Sequence, residues 1–172
     1  MRYPASLTPS TVERFTLSDG STVSVPKVTP TFHPWDGPTP GDTYGGKAVV
    51  NASGQPAFAE LAILDAFRAD GWDGVWIDTY RNKFRTGFWD SDPLPTLPSN
   101  PGALLRRILE ARGTGRSGTW DVYCWRGTDV VFAEAKRGGK DSIKPQQLTW
   151  LEAALRVRVP LESFLVVEWS LL

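Results

Sequence analysis

Apolar positions along the chain follow two periods, and the alternation between them marks out the elements. Residues 12–17 and 22–28 alternate apolar with polar on either side of Ser18-Asp19-Gly20-Ser21, the pattern of a β-hairpin with a glycine-containing turn. The stretch 33–46, HPWDGPTPGDTYGG, is a loop by composition. From Pro56 the period lengthens. Ser53 is placed to cap a helix whose good formers run from Ala57 to Ala69, with Gly71 ending it. Residues 74–83 return to alternation through Val75, Ile77, Thr79 and Arg81 and predict a strand. Three prolines make 86–100 a loop, and Asn100-Pro101 supplies an N-cap followed by proline at the first helical position. That second helix carries Leu104, Leu105, Ile108 and Leu109 as far as Gly113. Residues 120–126 and 129–136 predict a second hairpin. After the polar loop RGGKDS, residues 145–157 carry Leu148, Leu151, Ala154 and Leu155 on one side of a third helix. Pro160 stops it, and the apolar run 163–169 suits a buried strand.

This order predicts an α/β fold with a central mixed β-sheet flanked by helices. Residues 1–55, rich in Pro, Thr, Ser and Gly, read as a hairpin and loop extension lying as an accessory layer on the core. Residues 56–172 read as the main domain, with an insertion at about 86–118. At 172 residues the chain has the size of one domain.

Composition narrows the chemistry. One cysteine, Cys124, excludes an internal disulfide framework and a multi-cysteine metal site, and one histidine, His33, excludes a histidine-rich zinc centre. Any metal would be held mainly by carboxylates, which favours Mg²⁺ or Mn²⁺. No run approaches the ~18 apolar residues of a membrane span, and MRYPASLTPS lacks a signal-peptide core, so no membrane partner and a cytoplasmic location are expected. The 19 basic and 19 acidic residues cancel. Residues 101–144 nevertheless hold 9 basic against 5 acidic side chains, a bias that presents positive charge to phosphates or is simply a solvated face.

The informative chemistry lies in the second hairpin. A turn centred on Gly127-Thr128 sets Arg126 against Asp129, and the same register sets Asp121 against Glu134. Their Cβ atoms would then stand about 5 Å apart on one face, and Lys136, two residues on, points to that face. Opposed carboxylates are destabilising unless a cation lies between them; a divalent ion there polarises a phosphoryl oxygen and acidifies its water. The bland alternative is a surface Glu–Lys pair with an unrelated aspartate. Glu60 shares a helical stripe with Ile63, Leu64 and Phe67, so it either has a partner there or reaches water at the stripe's edge. Gln147 lies on the core-facing side of the third helix, where a glutamine in the first turn commonly bonds backbone.

Taken together, Glu60 on a first helix, Asp121 on a strand, Glu134-x-Lys136 on the next strand and Gln147 on the next helix resemble the PD-(D/E)xK nuclease superfamily. VVFAEAKRGGKDSIKPQQLTWLEAAL, residues 130–155, is similar to its VRR-NUC (virus-type replication-repair nuclease) branch in Glu134, Lys136, Asp141, Gln147 and Trp150. Trp120 stands where the motif's proline would be. The resemblance implies a restriction-endonuclease-like αβββαβ core and phosphodiester hydrolysis assisted by Mg²⁺ or Mn²⁺. It makes Asp121, Glu134 and the Ala135 carbonyl metal ligands and has Glu60 assist through a metal-bound water or second metal. Lys136 serves the nucleophilic water or the developing phosphate charge, and Gln147 orients the site.

The expectation is a deoxyribonuclease, structure-selective at junctions or flaps as in DNA repair, or else a defence or restriction enzyme; RNA stays open as a substrate. Lys144, Lys140, Arg137, Arg106 and Arg107 are the candidate nucleic-acid contacts, with Arg112 and Arg116 further along the insertion. Cutting both strands would suit a symmetric homodimer. The competing readings are a nucleic-acid-binding module that does not cleave and a structural, partner-binding protein. Asp90 and Asp92 could bind a cation or cap a loop equally well. His33 reads as a loop residue, and Cys124 as a core thiol facing away from Asp121.

Overall fold

Glycine turns and alternating apolar residues build most of this molecule as one twisted sheet with helices on both faces. The computed structural model describes residues 2–88, 94–113 and 115–172. In chain order these form β1 (Thr11–Thr16), β2 (Thr22–Val28), β3 (Thr31–Phe32), β4 (Val50–Ala52), β5 (Gln55–Ala57), α1 (Ala59–Ala69), β6 (Asp73–Asp78) and β7 (Lys83–Arg85). There follow α2 (Ser99–Arg112), β8 (Val122–Arg126), β9 (Asp129–Arg137), α3 (Pro145–Arg156) and β10 (Phe164–Leu171). The architecture is mixed α/β, with a central mixed sheet and three helices among the described residues.

The sheet runs β1-β2-β10-β9-β8-β6-β7, with β3 also paired to β10. β10 is parallel to β9, β2 and β3, while β1/β2, β9/β8, β8/β6 and β6/β7 are antiparallel. The parallel β9–β10 pair needs a crossover, and α3 supplies it. Period-two alternation sorts the side chains of β9. Val131 and Ala133 join Leu61, Ile63, Leu64 and Phe67 of α1 on one face. Phe132 joins Leu105 and Ile108 of α2 and Trp150 and Leu151 of α3 on the other. There Phe132 stacks on Tyr123 at 4.3 Å and meets Trp150 edge-on at 4.8 Å, contacts worth about 0.5–1.5 kcal/mol each beyond burial. No helix among the described residues is long and apolar enough to cross a membrane.

Several boundaries differ from the sequence expectation, each for a local reason. Ser53 does not cap α1: with φ values of 53° and 85°, Ser53-Gly54 turns the small β4–β5 hairpin, the geometry two-residue hairpin loops favour. The expected strand over 74–83 breaks after Asp78. The Asp78 carboxylate accepts the Arg81 N–H at 3.1 Å, a side-chain turn that competes with the ladder, and β7 folds back so that Trp76 opposes Arg85. Asn100 lies inside α2, one residue past its start. The N-terminal hairpin is added in the plane of the sheet through β2–β10 pairing, not layered over it, because the apolar β10 offers a ladder edge that pairing covers. Within the insertion, α2 is core, with Leu105 and Ile108 buried.

Gly118 sets the position of α3 against the segment leading into β8. Its φ is +77°, and a Cβ there would lie 2.4 Å from the Gln146 carbonyl carbon and oxygen. Two residues on, the buried Trp120 donates its indole N–H to the Gln147 carbonyl at 3.3 Å. Gly118→Ala is therefore expected to destabilise the protein by about 2–4 kcal/mol, combining overpacking with a left-handed backbone. Urea unfolding monitored by tryptophan fluorescence measures the loss.

Candidate active site

The β8–β9 hairpin pairs Arg126 with Asp129 and Val122 with Ala133, so one further step of the same register brings Asp121 beside Glu134. Backbone hydrogen bonds lock the two together. The Asp121 N–H donates to Glu134 Oε2 at 3.3 Å, and the Ala135 N–H donates to Asp121 Oδ2 at 3.1 Å. The Ile77 N–H donates to the Asp121 carbonyl at 2.7 Å, which ties the site to β6. Lys136 Nζ lies 2.7 Å from Glu134 Oε1. Gln147 Nε2 donates to that same oxygen.

Gln147 plays both parts that its sequence position allows. Its Oε1 accepts the Lys144 N–H at 2.8 Å, capping the first turn of α3, and this leaves its Nε2 free to reach Glu134. A helix cap thus fixes the rotamer of a residue in the cluster.

Glu134 is fully buried. Burial first, and the neighbouring Asp121 carboxylate second, push its carboxyl well above the usual range against the pull of Lys136. Asp121 is raised from 3.8 to about 6, chiefly by burial and then by the charge of Glu60, with Lys47 and Lys136 opposing. The pair is a site short of positive charge.

Glu60 lies on α1, which packs on the opposite face of the sheet, and its charge acts on Asp121 without joining the cluster. It is itself buried and forms an ion pair with Lys47. Burial works against the Lys47 charge, but Glu60, then Asp121 and Asp78, outweigh it and hold the ammonium above its ordinary range. Sequence reasoning missed Lys47, which lies in a loop without periodicity.

The described residues contain no group of three or more His, Cys, Asp or Glu side chains placed to hold a metal. Glu60, engaged by Lys47, is not drawn into such a group with Asp121 and Glu134. A divalent ion would therefore rest on the carboxylates of Asp121 and Glu134, the Ala135 carbonyl, and oxygens of water or substrate. That all-oxygen set suits Mg²⁺ or Mn²⁺, and the raised Asp121 and Glu134 are the groups whose charge it would neutralise.

Depressions surround the cluster. One of about 460 Å³ has Asp121, Lys47, Asp78 and Arg81 in its wall. A second, of about 210 Å³, is lined by Glu60, Ala135, Arg137 and Lys140, which puts two of the expected cationic contacts at the rim. Lys144 is exposed at the start of α3. Arg106 and Arg107 are not part of this rim. Arg107 donates to the Val157 carbonyl at 3.4 Å, ten residues and about 15 Å along α3 from Gln147. Arg116 instead docks on the β6–β7 turn, donating to Asn82 Oδ1 at 2.8 Å. Trp150 is core, His33 is exposed, and Cys124 is a buried thiol whose pKa burial raises. Asp90 and Asp92 lie outside the described residues. No protein-family model matches the chain, and neither a curated protein nor a solved structure matches it.

Proposed function

We propose that the protein is a Mg²⁺- or Mn²⁺-dependent nuclease of the PD-(D/E)xK type that hydrolyses phosphodiester bonds in DNA. The observation that carries this reading is the convergence of Asp121, Lys136 and Gln147 on the buried Glu134, from three successive elements. A hairpin that served only as structure would gain nothing from opposed carboxylates, one of them fully buried. The element order supports the same reading: with β7 and α2 set aside as additions between β6 and β8, α1-β6-β8-β9-α3-β10 follows the αβββαβ order that the resemblance implies. So does the combination of all-oxygen donors with one lysine.

A bound divalent ion would supply Lewis-acid polarisation of the phosphate and a more acidic water. The residues of the chain do the rest. Asp121 and Glu134 would hold the ion. Lys136, tethered to Glu134, is close enough to the same ion site to stabilise charge developing on a phosphate oxygen. Gln147 keeps Glu134 in its rotamer, and the Glu60–Lys47 pair sets the field on the Asp121 side. Arg137, Lys140 and Lys144 offer cations to the flanking backbone.

The test is cleavage of labelled duplex, single-strand, flap and four-way-junction DNA, with an RNA strand alongside, in Mg²⁺, Mn²⁺ or EDTA. Metal-dependent cutting by the wild type that is lost in Glu134→Gln supports the reading, and the substrate ranking distinguishes a structure-selective from a restriction-type enzyme. Salt-sensitive binding with no cutting in any metal would assign a non-cleaving nucleic-acid module instead. Gln147→Ala should lower the cleavage rate about 10-fold while shifting apparent metal affinity in the same direction, since it acts through Glu134; a metal titration of single-turnover rates checks this.

A further inference from the structure

The 460 Å³ depression beside Asp121 contains features that metal-assisted hydrolysis does not use. Its base is aromatic: Tyr44 and the buried Trp76 pack against each other at 5.6 Å. Arg81 lies over Tyr44, its guanidinium carbon 3.6 Å from the ring centroid. Beyond it comes Tyr80, whose ring is 5.8 Å from the same guanidinium. Tyr80 is 88% exposed at the turn between β6 and β7. A tyrosine with so little packing does nothing for the fold and leaves a large aromatic face open to a ligand.

The charges around this depression discriminate between ligands. Arg81 is paired with Asp42 at 2.8 Å and Lys47 with Glu60, so the cations there are already matched by carboxylates. A phosphate finds no net positive charge to enter. A nucleobase fits better, because it is flat, uncharged, and carries donors and acceptors on its edge. Arg81, its side chain 32% exposed, and the Asp121 carboxylate stand in the wall as donor and acceptor, while the buried Asp78 carboxylate is already taken by Tyr44, the Arg81 N–H and Arg85. A base inside a continuous duplex cannot reach such a recess without being unstacked, whereas an unpaired base can.

We propose that this depression is a subsite for one unpaired nucleobase next to the cleaved phosphate, with Tyr80 as its stacking platform and Arg81 as the edge contact. The inference rests on the nuclease reading and names its substrate class: nucleic acid with a single-stranded nucleotide at the cleavage point. Tyr80 and Arg81 are specificity residues here, since neither touches the site of the metal.

The experiment measures binding in EDTA, where no cutting occurs. Single-stranded and blunt-duplex oligonucleotides with 2-aminopurine at successive positions are titrated with wild type, Tyr80→Ala and Tyr80→Phe, in deoxyribose and ribose versions. The wild type should quench 2-aminopurine at one position of the single strand. Tyr80→Ala should bind that strand about 5- to 50-fold more weakly and lose the quench. Tyr80→Phe should retain both, and duplex affinity should change less than about twofold. Dependence on Tyr80 in only one sugar series would support the subsite and identify the nucleic acid. Unchanged single-strand binding by Tyr80→Ala, or equal weakening on single strand and duplex, overturns the subsite. If metal-dependent cutting by the wild type is intact in that case, the nuclease reading survives it; absence of binding to every oligonucleotide removes both. Thermal melting of Tyr80→Ala at the wild-type temperature excludes misfolding as the cause.

Discussion

Glu134→Gln is expected to reduce metal-dependent cleavage by about 10³-fold or more, with the fold intact. Glu134 is the centre of the cluster: it accepts from Lys136, from Gln147 and from the Asp121 backbone. Glutamine keeps the volume and one carbonyl oxygen but lacks the charge that a divalent ion needs, so both the ion and its effect on water are lost. It also turns Lys136 from an ion-pair partner into a cation beside a neutral amide. Lys136→Ala removes a different contribution and should cost about 10²–10³-fold, the usual loss when one group stabilising transition-state charge is deleted. The two variants are separated by calorimetric titration with Mn²⁺: Glu134→Gln should lose the binding heat, and Lys136→Ala should keep it. Cleavage by Glu134→Gln within about tenfold of wild type would falsify the catalytic assignment.

The second large effect is on stability and has the opposite sign. In metal-free protein, Asp121→Asn should raise stability at pH 7.5 by about 1–3 kcal/mol, or about 2–12 °C in melting temperature. The folded state raises the Asp121 pKa from 3.8 to about 6, so between those values the native protein binds more protons than the unfolded chain. Stability must then fall as pH rises through this window and stay reduced above it. Wild type in EDTA should be more stable near pH 4.5 than near pH 7 by this contribution, and Asp121→Asn should flatten that slope. Asparagine removes the charge that burial penalises and also relieves Glu134, whose second-largest burden is the Asp121 charge. Adding Mg²⁺ or Mn²⁺ should reverse the order: the metal stabilises wild type by mass action and leaves the asparagine variant unmoved. Melting curves at several pH values, with and without metal, give both results at once. A wild type that neither loses stability between pH 4.5 and 7 nor gains it from metal would contradict the proposed site.

How much of this was legible beforehand depended on the range of the interaction involved. The hairpin register around Gly127-Thr128 follows from counting, because residue pairs across a tight turn are determined by the turn itself. Asp121 and Glu134 could therefore be set beside one another from the sequence, and Arg126 does face Asp129. Gln147 was placed on the correct side of α3 by helical period, although its bond to Lys144 and its bond to Glu134 looked like alternatives when they are simultaneous. The β6–β7 turn was missed because alternation continues through Thr79 and Arg81; the strand is ended by the Asp78 side chain, which periodicity does not register. The same omission hid the depression beside Asp121, since Tyr44, Lys47, Asp78 and Arg81 come from a proline-rich loop and from that turn.

The sequence by itself determined the local elements, the facing of residues within each, and the donor types available: carboxylates and one lysine, with no cysteine or histidine set to compete. Those properties depend on turn chemistry and on periods of 2 and 3.6, which act over a few residues. Only the tertiary structure decided that Glu60 answers to Lys47, that Arg107 belongs to the far end of α3, and that Tyr80 stands exposed beside Asp121. It also decided that Glu134 is withdrawn from water while Asp121 keeps an edge on the depression, because packing around the hairpin covers the one and not the other. Pairings between segments far apart in the chain are selected by packing and charge in three dimensions, and no short-range period encodes them.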